Sequence, residues 1–216
     1  MFVKTIPVGV FRCNCTVLAC EATRKAIVVD PGDKPDRILD IIRGNKLDVL
    51  AVIHTHAHID HIMGTFEVTE GTGAIARLHS RDRPLWDRVG AVAQSYSIPT
   101  PRTPVLGSPL GDDEVITFGR ESARVIHTPG HSPGSCCFGL RTGDRELLLS
   151  GDTLFRGRIG TTAPYPDRRY NLGVLLASIH RRLLTLDDET LVIPGHGAPT
   201  SIGAERRNNP FLTGGA

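Results

Sequence analysis

The chain has few Trp, Met and Lys residues, and it lacks the sequence features of membrane and secreted proteins. Its 216 residues include one Trp, two Met and four Lys, against 21 Arg. No apolar run reaches the roughly 18 residues of a membrane span, and the N-terminal residues lack the basic and apolar segments of a secretion signal. We therefore expect a cytoplasmic protein that has no membrane partner.

The charge and the cysteines exclude further classes. The formal net charge is only +2, and the Arg residues are scattered rather than massed in a stripe, so no nucleic-acid partner is predicted. The Cys residues are odd in number and form no CxxC pair, which argues against disulfides. We predict that they are small buried side chains, with metal ligation by Cys13 and Cys15 as the less favoured alternative.

Composition and periodicity predict an α/β protein. The chain is 40% apolar and 22% charged, with no linker or repeat, and we predict one domain over residues 1–216. Short apolar runs predict strands at 16–19, 26–29, 49–53, 74–78, 115–118, 124–127, 135–140, 146–150 and 191–193. Helices are predicted at 34–43, 81–97 and 172–186. This order indicates layers of strands and helices in two internal halves.

The nine His are the main surplus, and four of them fall in one string, HTHAHIDH at residues 54–61. Residues two apart in an extended chain point to the same side, so His56 and His58 can bind one ion. Asp60 and His61 follow where the chain turns, within reach of a second ion. Imidazole with a carboxylate suits Zn²⁺ or Fe²⁺ better than Mg²⁺ or Ca²⁺.

Three further polar residues each lie in a turn rich in Gly or Pro after a predicted strand. Rigid scaffolds hold ligands in such loops. Buried imidazoles and carboxylates are costly without a partner, so the whole set predicts a metal centre. The predicted ligands are His56, His58, Asp60, His61, His131, Asp152 and His196.

The other four histidines are not predicted to be metal ligands. His54 lies one step before the motif, and a packing or supporting role is predicted for it. His127 is predicted to support His131 by a hydrogen bond, and His79 and His180 are predicted to be surface or capping residues.

The order HxHxDH, His, Asp, His resembles the metallo-β-lactamase superfamily over nearly the whole chain. Asn14-Cys15, Asp30-Pro31-Gly32, TPGHSPGS at 128–135 and SGDTLF at 150–155 look like its glyoxalase II (hydroxyacylglutathione hydrolase) branch. The string RRNNPFL at 206–212 is similar to that of the short bacterial members. The resemblance implies an α/β fold built as a four-layer αβ/βα sandwich, with metals at one edge of the sheets.

The resemblance also implies the roles of the site residues. One ion is bound by His56, His58 and His131, a second by Asp60, His61 and His196, and Asp152 bridges both. The cofactors are then two divalent metal ions, Zn in the first place, with Fe or Mn as alternatives. The implied activity is that of a thioesterase that cleaves a small-molecule S-(2-hydroxyacyl) thiol conjugate with metal-activated water, in which Asp60 and Asp152 are the catalytic carboxylates.

The chain departs from that branch in two places. Residues 156–163 read RGRIGTTA where short relatives have GRTD, and longer relatives carry a C-terminal helical region for glutathione that has no counterpart after Leu212. The thiol carrier is therefore not predicted. The polar segment 164–170, which includes Arg168 and Arg169, is predicted as a solvated loop rather than an anion site.

Other functions stay open on the sequence. One is a persulfide dioxygenase of the same superfamily, with a single Fe²⁺ held by His56, Asp152 and either His131 or His58. Another is a different hydrolase, such as a lactonase or β-lactamase. A metal-binding module without catalysis is disfavoured because all the ligands are present.

Overall fold

The computed structural model describes residues 1–162 and 172–214, and its first sheet is built from the N-terminal half. Five strands lie in the order β1-β2-β3-β4-β5. Their bounds are β1 Phe2–Val8, β2 Cys13–Ala19, β3 Lys25–Val29, β4 Asp48–Ile53 and β5 Ile75–Arg77. Strands β3, β4 and β5 run parallel, and β1 and β2 are antiparallel. The segment 164–170, predicted as a solvated loop, lies outside the described residues.

The second sheet comes from the other half and has six strands in the order β13-β12-β9-β8-β7-β6. Their bounds are β6 Val115–Phe118, β7 Glu121–His127, β8 Cys136–Thr142, β9 Arg145–Gly151, β12 Leu191–Pro194 and β13 Thr200–Ser201. A separate two-stranded ribbon is formed by β10 Leu154–Phe155 and β11 Arg158–Ile159.

The helices lie on the outer faces and beside the ligand loops. Their bounds are α1 Pro35–Gly44, α2 Ile59–Ile62, α3 Thr65–Thr72, α4 Arg83–Asp87, α5 Val89–Ser95, α6 Leu172–Ser178 and α7 Ile202–Asn208. A 3₁₀ turn, Ser80–Asp82, precedes α4, and a π-helical turn, Ile179–Leu183, follows α6. Within the described residues, no helix is long and apolar enough to cross a bilayer.

Three apolar clusters fill the spaces between four layers. The central cluster, with Leu18 and Phe138, lies between the two sheets. A second packs α1 against the outer face of the first sheet through Ile38, and a third packs α6 and α7 against the second sheet through Leu175 and Ile202. Strands covered on both faces explain the nearly continuous apolar runs of the sequence. The predicted four-layer αβ/βα sandwich is confirmed.

The topology brings the ligand loops to one edge of the sheets. β12 runs parallel to β9, and β7 has the same direction as β9 because β8 is antiparallel to both. The loops after β7, β9 and β12 therefore leave the second sheet at the same edge, and the HTHAHIDH string leaves β4 of the first sheet.

One predicted helix and one unpredicted strand show where the structure departs from the sequence analysis. The helix predicted over 81–97 is broken into the 3₁₀ turn, α4 and α5, because Pro84 starts a new helix and Arg88 leaves helical geometry between them. The first strand, β1, was not predicted. It contains Pro7, which lacks an N–H, and β1 is accordingly an edge strand, which among the described strands pairs with β2 alone.

Candidate metal centre

The first group of converging side chains is formed by three imidazoles. His56 Nε2 lies 3.0 Å from His58 Nδ1, and His131 Nε2 lies 3.2 Å and 2.9 Å from the same two atoms. These separations are close to the roughly 3.3 Å between nitrogen ligands around a tetrahedral Zn²⁺ with Zn–N bonds of about 2.0–2.1 Å. The HTHAHIDH string and the loop after β7 thus meet in one three-nitrogen group.

The second group lies beside the first and includes a carboxylate. His61 Nε2 and His196 Nε2 are 3.3 Å apart, and Asp60 Oδ2 lies 3.6 Å from the former and 3.0 Å from the latter. Asp60 and His61 are on α2, which begins directly after His58, and His196 follows β12. The turn into α2 brings these side chains to the loop after β12.

Asp152 lies between the two groups. Its Oδ1 is 3.5 Å from His61 Nε2, and its Oδ2 is 3.6 Å from His131 Nε2, so each oxygen faces a different group. Oδ1 is buried and has no hydrogen-bond partner among the described residues. A Cβ on Gly195 would lie 2.2 Å from this atom, and the glycine leaves the carboxylate its space. An unpaired buried carboxylate oxygen that faces imidazole nitrogens fits a bound cation.

Hydrogen bonds to Nδ1 of three histidines determine which ring nitrogen presents a lone pair to the centre. Nδ1 of His131 contacts Thr161 O at 2.7 Å, Nδ1 of His196 contacts Phe11 O at 3.0 Å, and Nδ1 of His61 contacts Asp30 Oδ2 at 3.0 Å. These oxygens only accept hydrogen bonds, so each Nδ1 carries the proton and each Nε2 presents a lone pair to the centre. Metal-binding histidines are held in this way by their second nitrogen. The donor set therefore fits divalent metal ions.

Burial and charge keep His56, His58 and Asp152 in the forms that coordinate. Burial, reinforced by the neighbouring imidazoles, lowers the pKa of His56 well below its usual value and that of His58 to about 3. Burial alone would raise the pKa of Asp152, but His61 and the other imidazoles outweigh it and lower this pKa. Neutral imidazoles and an ionised carboxylate are the forms that bind metal.

Two buried carboxylates outside the predicted set organise the loops. Asp30 accepts hydrogen bonds from Thr55 N at 2.8 Å and Thr55 Oγ1 at 2.6 Å in addition to the one from His61. Asp82 accepts hydrogen bonds from Ala57 N and from the loop that carries His131. Sequence reasoning used Asp30 only as part of a resemblance and missed Asp82. The only signal for Asp82 was a carboxylate in the first turn of the helix predicted over 81–97, which is too common a feature to select it.

The structure brings all seven predicted ligands together and leaves the other imidazoles out of the described metal groups. His54 packs on Trp86 and contacts Thr65, in agreement with a packing role. The prediction for His127 is wrong: its Nε2 contacts Pro133 O and its ring stacks on His79, while Nδ1 of His131 contacts Thr161 O instead. His79 caps the 3₁₀ turn by accepting a hydrogen bond from Arg81 N.

The five cysteines are all buried and unpaired with one another, as predicted. None belongs to the described metal groups, which argues against the ligand alternative for Cys13 and Cys15. Cys13 Sγ lies 3.5 Å from His61 Nδ1, and this atom already faces Asp30 on the outer side of the ring.

The chain belongs to the metallo-β-lactamase superfamily, whose sequence profile matches residues 8–196. It is 30% identical to the hydroxyacylglutathione hydrolase GloC of Haemophilus influenzae, over 98% of both chains. The fold is similar to that of the B3 metallo-β-lactamase BLEG-1, with a TM-score of 0.87 and 33% identity over 98% of this chain and 100% of that one. It is also similar to TTHA1623 in a di-iron-bound form, with a TM-score of 0.81 and 35% identity over 98% of this chain and 100% of that one. ETHE1 from Myxococcus xanthus has a TM-score of 0.79 and 28% identity over 99% of this chain and 85% of that one.

Proposed function

We propose that this protein is a dinuclear metal-dependent hydrolase that cleaves thioesters, with S-(2-hydroxyacyl) thiol conjugates as the substrate class. The observation that carries the proposal is Asp152, which faces both groups with separate oxygens and leaves Oδ1 buried without a hydrogen-bond partner among the described residues. His56, His58 and His131 would hold one ion, Asp60, His61 and His196 the other, and Asp152 both. The similarity to GloC supports the thioester class.

Two divalent ions held in this way would polarise a carbonyl group and lower the pKa of water to about 7, so that a nucleophile is available at neutral pH. The protein side chains keep the donor atoms in place. His61 is fixed by Asp30, His131 by Thr161 and His196 by Phe11, which limits reorganisation of the site when substrate binds.

The exposure of the site indicates where substrate enters. The side chains of His61 and His131 are 0% and 6% exposed, whereas those of Asp60 and His196 are 19% and 22% exposed. Asp60 and His196 are therefore more open to solvent than His61 and His131. We propose that Asp60 orients the attacking water, because its carboxylate is both partly exposed and within 3.0 Å of His196 Nε2.

A thioester suits the groups that are present. Hydrolysis forms a C–O bond from water to the carbonyl carbon and breaks the C–S bond, which yields a carboxylate and a thiol. A thiol with a pKa of about 8.5 leaves readily as the thiolate, so the reaction does not depend on a strong general acid.

The test is metal analysis of the purified protein beside two assays, hydrolysis of S-lactoylglutathione and oxygen uptake with glutathione persulfide. We expect two divalent ions per chain and thioester cleavage that a chelator abolishes. Asp152→Asn should lose more activity than the roughly 10- to 100-fold typical of contacts one step removed from a metal. His180→Gln, which changes an exposed imidazole, is the matched control and should keep full activity.

Other outcomes would replace the proposal with a specific alternative. One Fe per chain with oxygen uptake would identify a persulfide dioxygenase instead. Two ions without thioester cleavage would point to another substrate, and lactones and β-lactams are the next to assay. Full activity of Asp152→Asn would contradict the role of this carboxylate.

A further inference from the structure

We infer that Asp82 is the positioning residue of the first metal group alone, and that it sets the affinity of that group for its ion without touching the ion or the substrate. The inference rests on the metal centre proposed above. Asp82 is fully buried at the end of the 3₁₀ turn that precedes α4, and it belongs to none of the described metal groups.

The contacts of Asp82 join the two segments that carry the first group. Its Oδ2 accepts hydrogen bonds from Ala57 N at 2.9 Å and from Ser132 Oγ at 2.8 Å, and its Oδ1 accepts one from Gly134 N at 2.5 Å. Ala57 lies between His56 and His58, and Ser132 follows His131 directly. One carboxylate thus fixes the backbone on both sides of the three-nitrogen group.

The loop after β7 is shaped to receive this carboxylate. A Cβ on Gly134 would lie 2.8 Å from Asp82 N and 2.9 Å from Asp82 Cβ, so only a glycine allows the approach. Ser132 Oγ also contacts Ser135 Oγ at 2.7 Å, and Ser135 Oγ accepts a hydrogen bond from Ser132 N at 3.0 Å. These bonds give the loop one conformation, and Asp82 determines its position relative to the HTHAHIDH string.

The second group has different supports. His61 is held by Asp30, and His196 is held by the backbone carbonyl of Phe11. The described hydrogen bonds of Asp82 reach neither of these residues nor Asp60. Loss of Asp82 should therefore loosen the arrangement of His56, His58 and His131 and leave the second group in place. A role in folding alone would have no such preference for one group.

The experiment measures the affinities of both Zn²⁺ equivalents by competition with a chromophoric chelator. Asp82→Ala should weaken one equivalent by about 10- to 100-fold and leave the other unchanged. Asp82→Asn should weaken it less, because the amide keeps one acceptor oxygen. His131→Ala shows which Zn²⁺ equivalent binds at the first group, and His196→Ala shows which binds at the second. Asp82→Ala should weaken the same equivalent as His131→Ala.

Glu205→Gln is the matched control. Glu205 is also buried and accepts three hydrogen bonds, from Gly157 N, Thr200 Oγ1 and Asn209 Nδ2, but it lies on α7. It should leave both affinities unchanged. If Asp82→Ala does not fold, Asp82→Asn and Ser132→Ala, which remove only part of the network, decide the question in the same assay.

If the wild-type protein binds two ions and Asp82→Ala weakens both equally, or neither, the inference is overturned. The proposed function would still stand. A wild-type protein that binds no divalent ion would overturn the inference together with the proposed metal centre.

Discussion

The carboxylate of Asp30 lies 3.0 Å from Nδ1 of His61, although 31 residues separate them in the chain. Both side chains are almost fully buried, and the same carboxylate also holds the backbone N–H and the hydroxyl of Thr55. Asp30 thus connects the end of β3 to α2 and fixes the ring of His61 with its Nε2 toward the second metal group.

Removal of this carboxylate should destabilise the protein even without metal. Asp30→Ala leaves the N–H of Thr55 and the Nδ1–H of His61 buried without an acceptor, and each such group costs about 1–3 kcal/mol. We expect the free energy of unfolding to fall by several kcal/mol in urea titrations with a chelator present. Asp40→Asn, at an exposed position of α1, is the control and should change it by less than about 0.5 kcal/mol. Equal effects of the two variants would contradict the role of Asp30.

Acid should destabilise the protein in part through the stacked pair of His79 and His127. Their ring centroids are 4.1 Å apart at an interplanar angle of 8°. Burial, together with His127 and Arg81, lowers the pKa of His79 to about 4, and burial also lowers that of His127, against the opposing charges of Asp112 and Asp82.

The sign follows from proton binding by the unfolded chain, where the pKa of His is about 6.5. Between pH 6.5 and about 4 the unfolded state binds more protons than the folded state, so stability falls as the pH falls through this window. The Tm of His79→Gln should therefore fall less than that of the wild-type protein between neutral pH and the lower end of this window. Parallel Tm profiles of the two proteins would refute the prediction.

The central cluster between the two sheets should account for much of the stability. Phe138 is fully buried there, and Phe138→Ala should lower the free energy of unfolding by about 3–5 kcal/mol. Val105, which is 93% exposed, provides the control, and Val105→Ala should have an effect within about 0.5 kcal/mol. Urea denaturation of both variants measures the difference, and a small effect at Phe138 would count against the sandwich core.

Because Gly134 lies close to Asp82, we expect a side chain at position 134 to destabilise the protein. The methyl group of Gly134→Ala would lie under 3.0 Å from the Asp82 backbone and side chain, and we expect a loss of about 1–3 kcal/mol in thermal or urea unfolding. Gly44→Ala is the matched control, because a Cβ there meets nothing within 4 Å, and it should be neutral or slightly stabilising. A neutral Gly134→Ala would show that the loop can move away from Asp82.

The sequence predicts the strands and the ligand loops well because both depend on local patterns. The apolar runs of β3 and β4 and the HTHAHIDH string are visible within a few residues. Contacts between distant segments are not visible in this way. Asp82 is 52 residues from Gly134, and nothing in its surroundings in the chain distinguishes it from an exposed helix cap.

The break of the helix predicted over 81–97 has a similar origin. Helical periodicity continues through this stretch, but Pro84 and Arg88 interrupt it. The short helices α4 and α5 pack instead through Trp86 and Ala93. Edge strand β1 was missed because a proline weakens a strand prediction, whereas an edge position tolerates a missing N–H.

The spacing of the proposed ligands along the chain has a consequence for protein synthesis. His56, His58, Asp60 and His61 lie within six consecutive residues of the N-terminal half, whereas His131, Asp152 and His196 follow much later. An emerging polypeptide therefore exposes a chelating peptide before the rest of the centre has been made. Because an ion captured by the unfolded chain stabilises that chain too, divalent ions should raise the Tm by less than their affinity for the folded protein implies.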